Sequence, residues 1–254
     1  TLACGALVGL LLGTFGGGGS VLAAPLLLYV VGVSDPHVAI GTSAAAVAAT
    51  ALFNLFGHWR GGRVKWPCAI VFAAAGLIGS LIGSSVAKTI HGDILLVAFS
   101  VAMAAIGFSM LRRPKSAGDP DVHLTPAFTM RLAPLGLAVG FAAGFFGIGG
   151  GFLIVPGLIA ATGMTMSAAT ASSLVSVVIF GAATSSNYAL SGYVDLKLAA
   201  LLVGGGIIGG IGGLFIAKLL AGRQLVARRG FAVFVIIVAA YVAYKAITAM
   251  TGSG

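Results

Sequence analysis

The chain contains no glutamate, five aspartates and 14 lysines and arginines in 254 residues, so charged residues make up only 7% of it. A soluble domain carries about a quarter charged residues, and so few charges cannot clothe a water-facing surface of this size. The same scarcity argues against a carboxylate proton relay at membrane depth, because Asp35, Asp93, Asp119, Asp121 and Asp195 all fall at predicted helix ends or in a linker. Cysteine is nearly absent. Cys4 and Cys68 sit in apolar surroundings and are read as small buried residues, not as a disulfide or redox site. There is no metal-ligand spacing, no paired acids and no activated nucleophile, so no metal, no cofactor and no enzymatic activity is expected. An initiator methionine and a cleavable signal pattern are missing too. The chain starts inside an apolar run, so a trimmed N-terminus is expected.

What the chain has in abundance is apolar length. Hydrophobic residues are 59% of the sequence and the mean hydropathy is +1.13. They form runs near the roughly 20 residues that a spanning helix needs, separated by short polar punctuation. An outer-membrane barrel would alternate apolar and polar residues in ~10-residue strands. The pattern predicts an all-α polytopic membrane protein. The net charge of +9 does not point to nucleic acid, because the basic residues lie between apolar runs instead of along one stripe.

The runs are one unit written twice. GLLLGTFGGGGSVLAAP (Gly9 to Pro25) matches GFAAGFFGIGGGFLIVP (Gly140 to Pro156) at an offset of 131, pairing Gly9, Gly13, Phe15, Gly16, Gly18 and Gly19 with Gly140, Gly144, Phe146, Gly147, Gly149 and Gly150. The register then slips to 130, pairing Ser43 with Ser173, Gly62 with Gly192, Gly76 with Gly206 and Lys88 with Lys218. Each half reads as two short arms joined by a glycine knot, then three long helices. The predicted segments are about 2–15, 20–33, 38–57, 66–87 and 94–111, then 132–146, 151–162, 168–190, 196–217 and 231–247. This gives a first transmembrane repeat over 1–111, a cytoplasmic linker over 112–131 and a second repeat over 132–254.

Charge placement predicts that the repeats are inverted, because short loops rich in Lys and Arg stay cytoplasmic. Arg60, Arg63 and Lys65 precede the fourth segment of the first half, whereas the equivalent second-half loop carries Asp195. The next loop reverses this, with Asp93 in the first half against Arg223 in the second. Inversion needs an odd number of crossings per half, which three long helices supply. The knotted arms, at ~14 residues and 1.5 Å rise, reach ~21 Å, short of the ~30 Å hydrocarbon core. A re-entrant or discontinuous hairpin is expected, with both termini external.

Paired glycine-interrupted segments in an inverted-repeat protein point to a midplane site built on broken helices. Exposed backbone N–H groups and the positive end of a helix hold an anion without Lys or Arg. The candidate binding residues are Gly17, Gly18, Gly19 and Ser20 in the first knot and Gly149, Gly150 and Gly151 in the second. The hydroxyl clusters Thr42, Ser43 and Ser172, Ser173, with Asn54 and Ser176, join them as hydrogen-bonding groups. GTFGGGGS lacks the lysine of a phosphate loop, and no ribose-binding acid follows for a dinucleotide. His37, His58, His91 and His123 map to predicted helix edges and are read as interface residues. The glycines Gly76, Gly79, Gly83, Gly204 to Gly206, Gly209, Gly210, Gly212 and Gly213 are read as close-packing faces.

At GTFGGGGSVLAAP and GFFGIGGGFLIVP the sequence resembles the TauE/SafE sulfite exporter family, and the likeness continues through GTSAAAV, ASSLVSV, GGRVKW and SGYVDL. The resemblance implies a carrier of small sulfur-containing or organic anions such as sulfite, sulfonates and sulfoacetate. Two departures, Gly17 against Ile148 and Ser20 against Gly151, make the half-sites unequal. The leading expectation is export of such an anion from a bacterial cytoplasmic (inner) membrane. Proton-coupled uptake is the alternative, and a membrane-embedded enzyme ranks lower. Expected partners are the small anionic substrate, membrane lipid and, as a further option, a second copy in a homodimer.

The topology is tested by labelling a cysteine-free background. A cysteine placed within the Arg60 to Lys65 loop should react with a membrane-impermeant reagent from the cytoplasm, and one at Asp195 only from outside. Labelling of both from the same side would exclude inversion.

Overall fold

The computed structural model describes residues 1–111, 118, 119, 122, 124–147, 151–219 and 224–252; the surroundings of 17–19, 106, 110, 152, 218, 219, 224–228, 231 and 249–252 fall outside that description. The chain is helical almost throughout. Helix α1 (Leu2–Phe15) runs into a 3-10 segment (Gly16–Leu22), a short α2 (Ala23–Leu26) and a wide turn (Leu27–Val31). Then come α3 (Pro36–Arg60), α4 (Trp66–Ala87) and α5 (Gly92–Leu111). The second half comprises α6 (Pro126–Phe146), α7 (Gly151–Thr162), α8 (Met166–Ala189), α9 (Leu196–Leu219) and α10 (Gln224–Gly252).

Short polar residues start four of these helices. Asp35 accepts from the His37 N–H at 2.8 Å with Pro36 at the first helical position, Thr165 accepts from Ala168, and Asp195 accepts from Lys197 at 2.8 Å and Leu198 at 3.0 Å. Thr125 caps α6 in the same way by accepting from Phe128, so α6 begins at Pro126, inside the segment expected to be linker. With 21 residues it reaches ~32 Å at 1.5 Å per residue, long enough to span. The short-arm argument therefore does not hold for the second half. Among the described residues six helices are long and apolar enough to cross a membrane: α3, α4, α5, α6, α8 and α9. Their outer faces carry large apolar side chains such as Val101, Ile208 and Phe215, each more than 60% exposed. That is the surface lipid requires.

The two halves exchange helices. α1 packs along α9, and α6 packs along α4. Both contacts are parallel and made by glycine: Gly5, Gly9 and Gly13 meet the carbonyls of Leu202, Gly206 and Gly210, while Gly136, Gly140 and Gly144 meet those of Phe72, Gly76 and Ser80. The central pair, α3 and α8, is antiparallel. Gly41 near the start of α3 faces Tyr188 at the far end of α8 and Tyr193 in the loop beyond it, and Gly181 late in α8 faces Ala44 and Ala48. α5 and α10 also run antiparallel, with Gly107 against Ala232 and Ile236. Among the described residues these glycine contacts of the α1/α9 and α6/α4 pairs are equivalent at an offset of 130 or 131. The backbone follows suit, since among the described residues six of the seven positive-φ glycines form the pairs Gly16/Gly147, Gly32/Gly163 and Gly62/Gly192.

The predicted packing role holds for most helix glycines but not for Gly212, around which an added methyl meets nothing within 4 Å. Gly9→Ala and Gly140→Ala force a methyl into a neighbouring backbone and should each destabilise by ~1–3 kcal/mol or more. Gly212→Ala should be neutral or gain up to about 1 kcal/mol in helix propensity. Thermal unfolding in detergent checks the contrast.

Candidate functional site

Each knot begins where a glycine reverses the chain. Gly16 (φ +65) ends α1, and Gly147 (φ +65) ends α6, its N–H donating to the Gly144 carbonyl at 3.3 Å. Neither position has room for a side chain. A Cβ on Gly16 would stand 2.6 Å from the Thr170 carbonyl oxygen and 3.2 Å from Ser173 Oγ, and one on Gly147 would overlap the side chain of Ile40. Thr170 and Ile40 are equivalent at offset 130, so each knot abuts the opening turns of the central helix of the other half. The two arms that follow, the 3-10 segment and α7, pack on one another.

Because α3 and α8 are antiparallel, their opening turns lie at opposite ends of the pair. At 1.5 Å rise per residue the knots are roughly 20 Å apart along it. The two knots are thus set apart along the α3/α8 pair, one beside each opening turn. Ser20 and Gly151 are buried beside the knots. Gly17, Gly18 and Gly19 belong to the 3-10 segment, but their surroundings, like all of Gly149 and Gly150, lie outside the described residues.

The hydroxyl clusters are fully buried and already engaged. Thr42 Oγ1 accepts from the Asp195 N–H at 2.9 Å, and Ser172 Oγ accepts from the Lys65 N–H at 2.9 Å. These are equivalent bonds, each fixing a loop of one half to the central helix of the other. Ser43 donates to the Ile40 carbonyl at 3.0 Å and Ser173 to that of Thr170 at 2.8 Å. Donation to an anion therefore requires these hydroxyls to turn away from their own helix. Asn54 donates to the Thr50 carbonyl at 3.0 Å and lies against Gly210, leaving Oδ1 buried without a partner; Ser176 Oγ is likewise buried and unpartnered.

Three features were not anticipated. His58, expected at an interface, is 2% exposed because the last turns of α1 and α9 cover the end of α3, and neither ring nitrogen has a well-formed protein hydrogen bond among the described residues, although the Gly13 backbone faces the ring. Tyr188, its equivalent at offset 130, is fully buried with an unpartnered hydroxyl. The repeat register, which aligns 58 with 188, was the signal available for both. The third is a network at the ends of α4 and α8, where Lys88 Nζ donates to Asn187 O and Oδ1 and to Ser191 Oγ, and Asn187 Nδ2 donates to Ser84 and Ser85. Of the other histidines, His91 is exposed, His37 is half-buried and His123 lies outside the described residues. Among the described residues no group of three or more His, Cys, Asp or Glu gathers as a metal site.

Paired glycine-broken arms within a bundle of long apolar helices define a multi-pass membrane protein of the transporter class. The chain belongs to the TauE/SafE sulfite exporter family, whose profile, described as "Sulfite exporter TauE/SafE", matches residues 1–242. It is 46% identical over 246 residues to a "Probable membrane transporter protein" of Xylella fastidiosa (strain 9a5c), covering 96% of this chain and 94% of that one. It is 28% identical over 230 residues to "Probable membrane transporter protein YunE" of Bacillus subtilis (strain 168), covering 80% and 84%. A similar protein named as a probable membrane transporter in Methanocaldococcus jannaschii is 30% identical over 159 residues, or 60% of this chain and 58% of that one. No solved structure matches the chain. The family and these relatives are membrane transporters, not enzymes.

Thr42→Val and Ser172→Ala should each leave a partly buried backbone N–H unpartnered, at Asp195 and Lys65 respectively, and cost about 1 kcal/mol. The sites are far apart, so the double variant should show nearly additive losses. Melting of the purified single and double variants measures this.

Proposed function

We propose that the chain is a secondary transporter that exports a small sulfur-containing anion, of the sulfite, sulfonate or sulfoacetate class, across a bacterial cytoplasmic membrane. The observation that carries this reading is the placement of each glycine knot against the hydroxyl-bearing opening turns of the other half's central helix. A side-chain-free backbone there offers N–H groups to an anion, and the positive end of a long helix adds to the field without a fixed charge. The described aspartates sit at helix ends and loops, Asp35 as the cap of α3 and Asp195 in the loop bonded to Thr42. In this reading the halves cross the membrane in opposite senses, supported by the antiparallel α3/α8 and α5/α10 pairs and by the charge reversal between Lys65 and Asp195. The solute then passes between two half-sites as one end closes and the other opens. A monoanion leaving a negative interior needs no coupled ion, because the potential supplies ~2.3 kcal/mol per 100 mV.

The test is flux in proteoliposomes with an imposed potential, using sulfite, sulfoacetate, thiosulfate, sulfate and lactate. Sulfite or a sulfonate should move well above the protein-free rate; failure of every anion would end the transport reading. Within that assay Gly18→Ala and Gly149→Ala should cut flux about tenfold or more, equivalent to ~1.4 kcal/mol, while the proteins keep their melting temperature. Unchanged flux in both would place the anion away from the knots.

A further inference from the structure

Positions 58 and 188, equivalent at an offset of 130, both bury a ring whose polar atoms have no well-formed protein hydrogen bond among the described residues: the Nδ1 and Nε2 of His58, which the Gly13 backbone faces, and the hydroxyl of Tyr188. Native interiors rarely leave such groups unsatisfied, because each loses its bonds to water and gains nothing in return. His58 does not stand alone. Asn54, one turn earlier on the same face of α3, has a buried and unpartnered Oδ1. The His58 ring lies beside the backbone of Gly13, in the last turn of α1 before the first knot, with Arg63 as the charge acting on it. At the other end, Tyr188 packs with Ile40 and Phe145 beside the second knot, and its ring centroid is 6.2 Å from that of His37, whose Nδ1 is also buried and unpartnered.

We propose that His58 with Asn54, and Tyr188 with His37, are the solute-contacting polar groups of the two half-sites, and that they select an oxyanion carrying one acid hydrogen. This rests on the transport reading. The selectivity follows from the atoms on offer. A neutral imidazole presents one N–H donor and one nitrogen acceptor, Asn54 presents Oδ1 and its second amide hydrogen, and a tyrosine hydroxyl both donates and accepts. A fully deprotonated oxyanion can only accept, and would set its charge against the lone pairs of Asn54 and the imidazole. A singly protonated oxyanion such as hydrogen sulfite gives its hydrogen to an acceptor and receives bonds on its remaining oxygens, matching both kinds of group.

The experiment measures sulfite and sulfate binding by titration calorimetry on the purified chain at neutral pH, together with sulfite flux in proteoliposomes. The parent should prefer sulfite to sulfate by about tenfold or more, and His58→Phe and Asn54→Leu should each weaken sulfite binding by about tenfold, as for a lost bond in an enclosed site. Both variants should keep or raise the melting temperature, because each removes an unsatisfied buried group. His58→Gln, which retains a donor and an acceptor, should recover most of the affinity, and Tyr188→Phe should slow flux severalfold. If His58→Phe fails to fold, Asn54→Leu and His58→Gln decide the matter. Parental affinity and flux in His58→Phe, or in Asn54→Leu alone if only that variant folds, would overturn the inference while leaving transport intact. Parental flux in Tyr188→Phe would overturn the pairing of the two ends, and equal binding of sulfate would overturn the selectivity. A parent that neither binds nor moves sulfite would overturn both this inference and the sulfite reading.

Discussion

The contact of backbone with backbone along α1/α9 and α6/α4 is the constraint on which the other elements depend. Between helices in lipid the hydrophobic effect supplies little net attraction, so close packing and the satisfaction of polar groups must hold the bundle together. The glycines at 5, 9 and 13 and at 136, 140 and 144 let α1 and α6 approach carbonyls that any side chain would push away. That approach sets where each first helix ends, and hence where its knot meets α8 or α3. Had α1 been held off by an ordinary side-chain layer, Gly16 could not rest against Thr170 and Ser173.

The exchange of helices changes what a half means. α1 is covered by α9 and α6 by α4, so neither sequence repeat closes a core by itself, and the unit that packs together mixes the two. The reciprocal bonds from Thr42 to Asp195 and from Ser172 to Lys65 tie this arrangement at both ends of the α3/α8 pair. Rocking one repeat as a rigid body against the other would tear both glycine interfaces. Movement that respects those interfaces keeps α1, α3 and α9 on one side and α4, α6 and α8 on the other, and works at the α3/α8 seam where the knots and hydroxyls lie.

Much of this was legible in the sequence because glycine register survives where side-chain detail does not. The offsets of 130 and 131 predicted which glycines would be equivalent, and they occupy equivalent contacts. The long helices were readable from apolar length alone. The start of α6 was not, because its first six residues, bounded by Pro126 and Arg131, continue the proline and charge of the preceding segment and read as linker until the Thr125 cap and Pro126 are taken as a helix start. The distance between the knots was hidden for a different reason: the repeat tells which residues correspond but not how far the symmetry operation carries them. Nor does a list of buried hydroxyls tell which will be consumed as acceptors for a loop, as Thr42 and Ser172 are, and which will bond their own helix, as Ser43 and Ser173 do.

His58 illustrates the hardest case. Its place near the end of a helix suggested the interface, and that inference would have held if the neighbouring helices had ended at the same height. They do not. Leu214 of α9 reaches Gly57, and Gly13 of α1 lies beside the imidazole, so the end of α3 is enclosed. Depth in a membrane bundle is thus a property of the neighbours more than of the residue's position in its own helix. In a chain with so few ionisable groups, an enclosed imidazole on the same face as an enclosed carboxamide carries more functional information than any single charge at the rim. The rim charges lie at helix ends and loops, whereas the enclosed polar atoms lie beside the knots that divide the two ends of the seam.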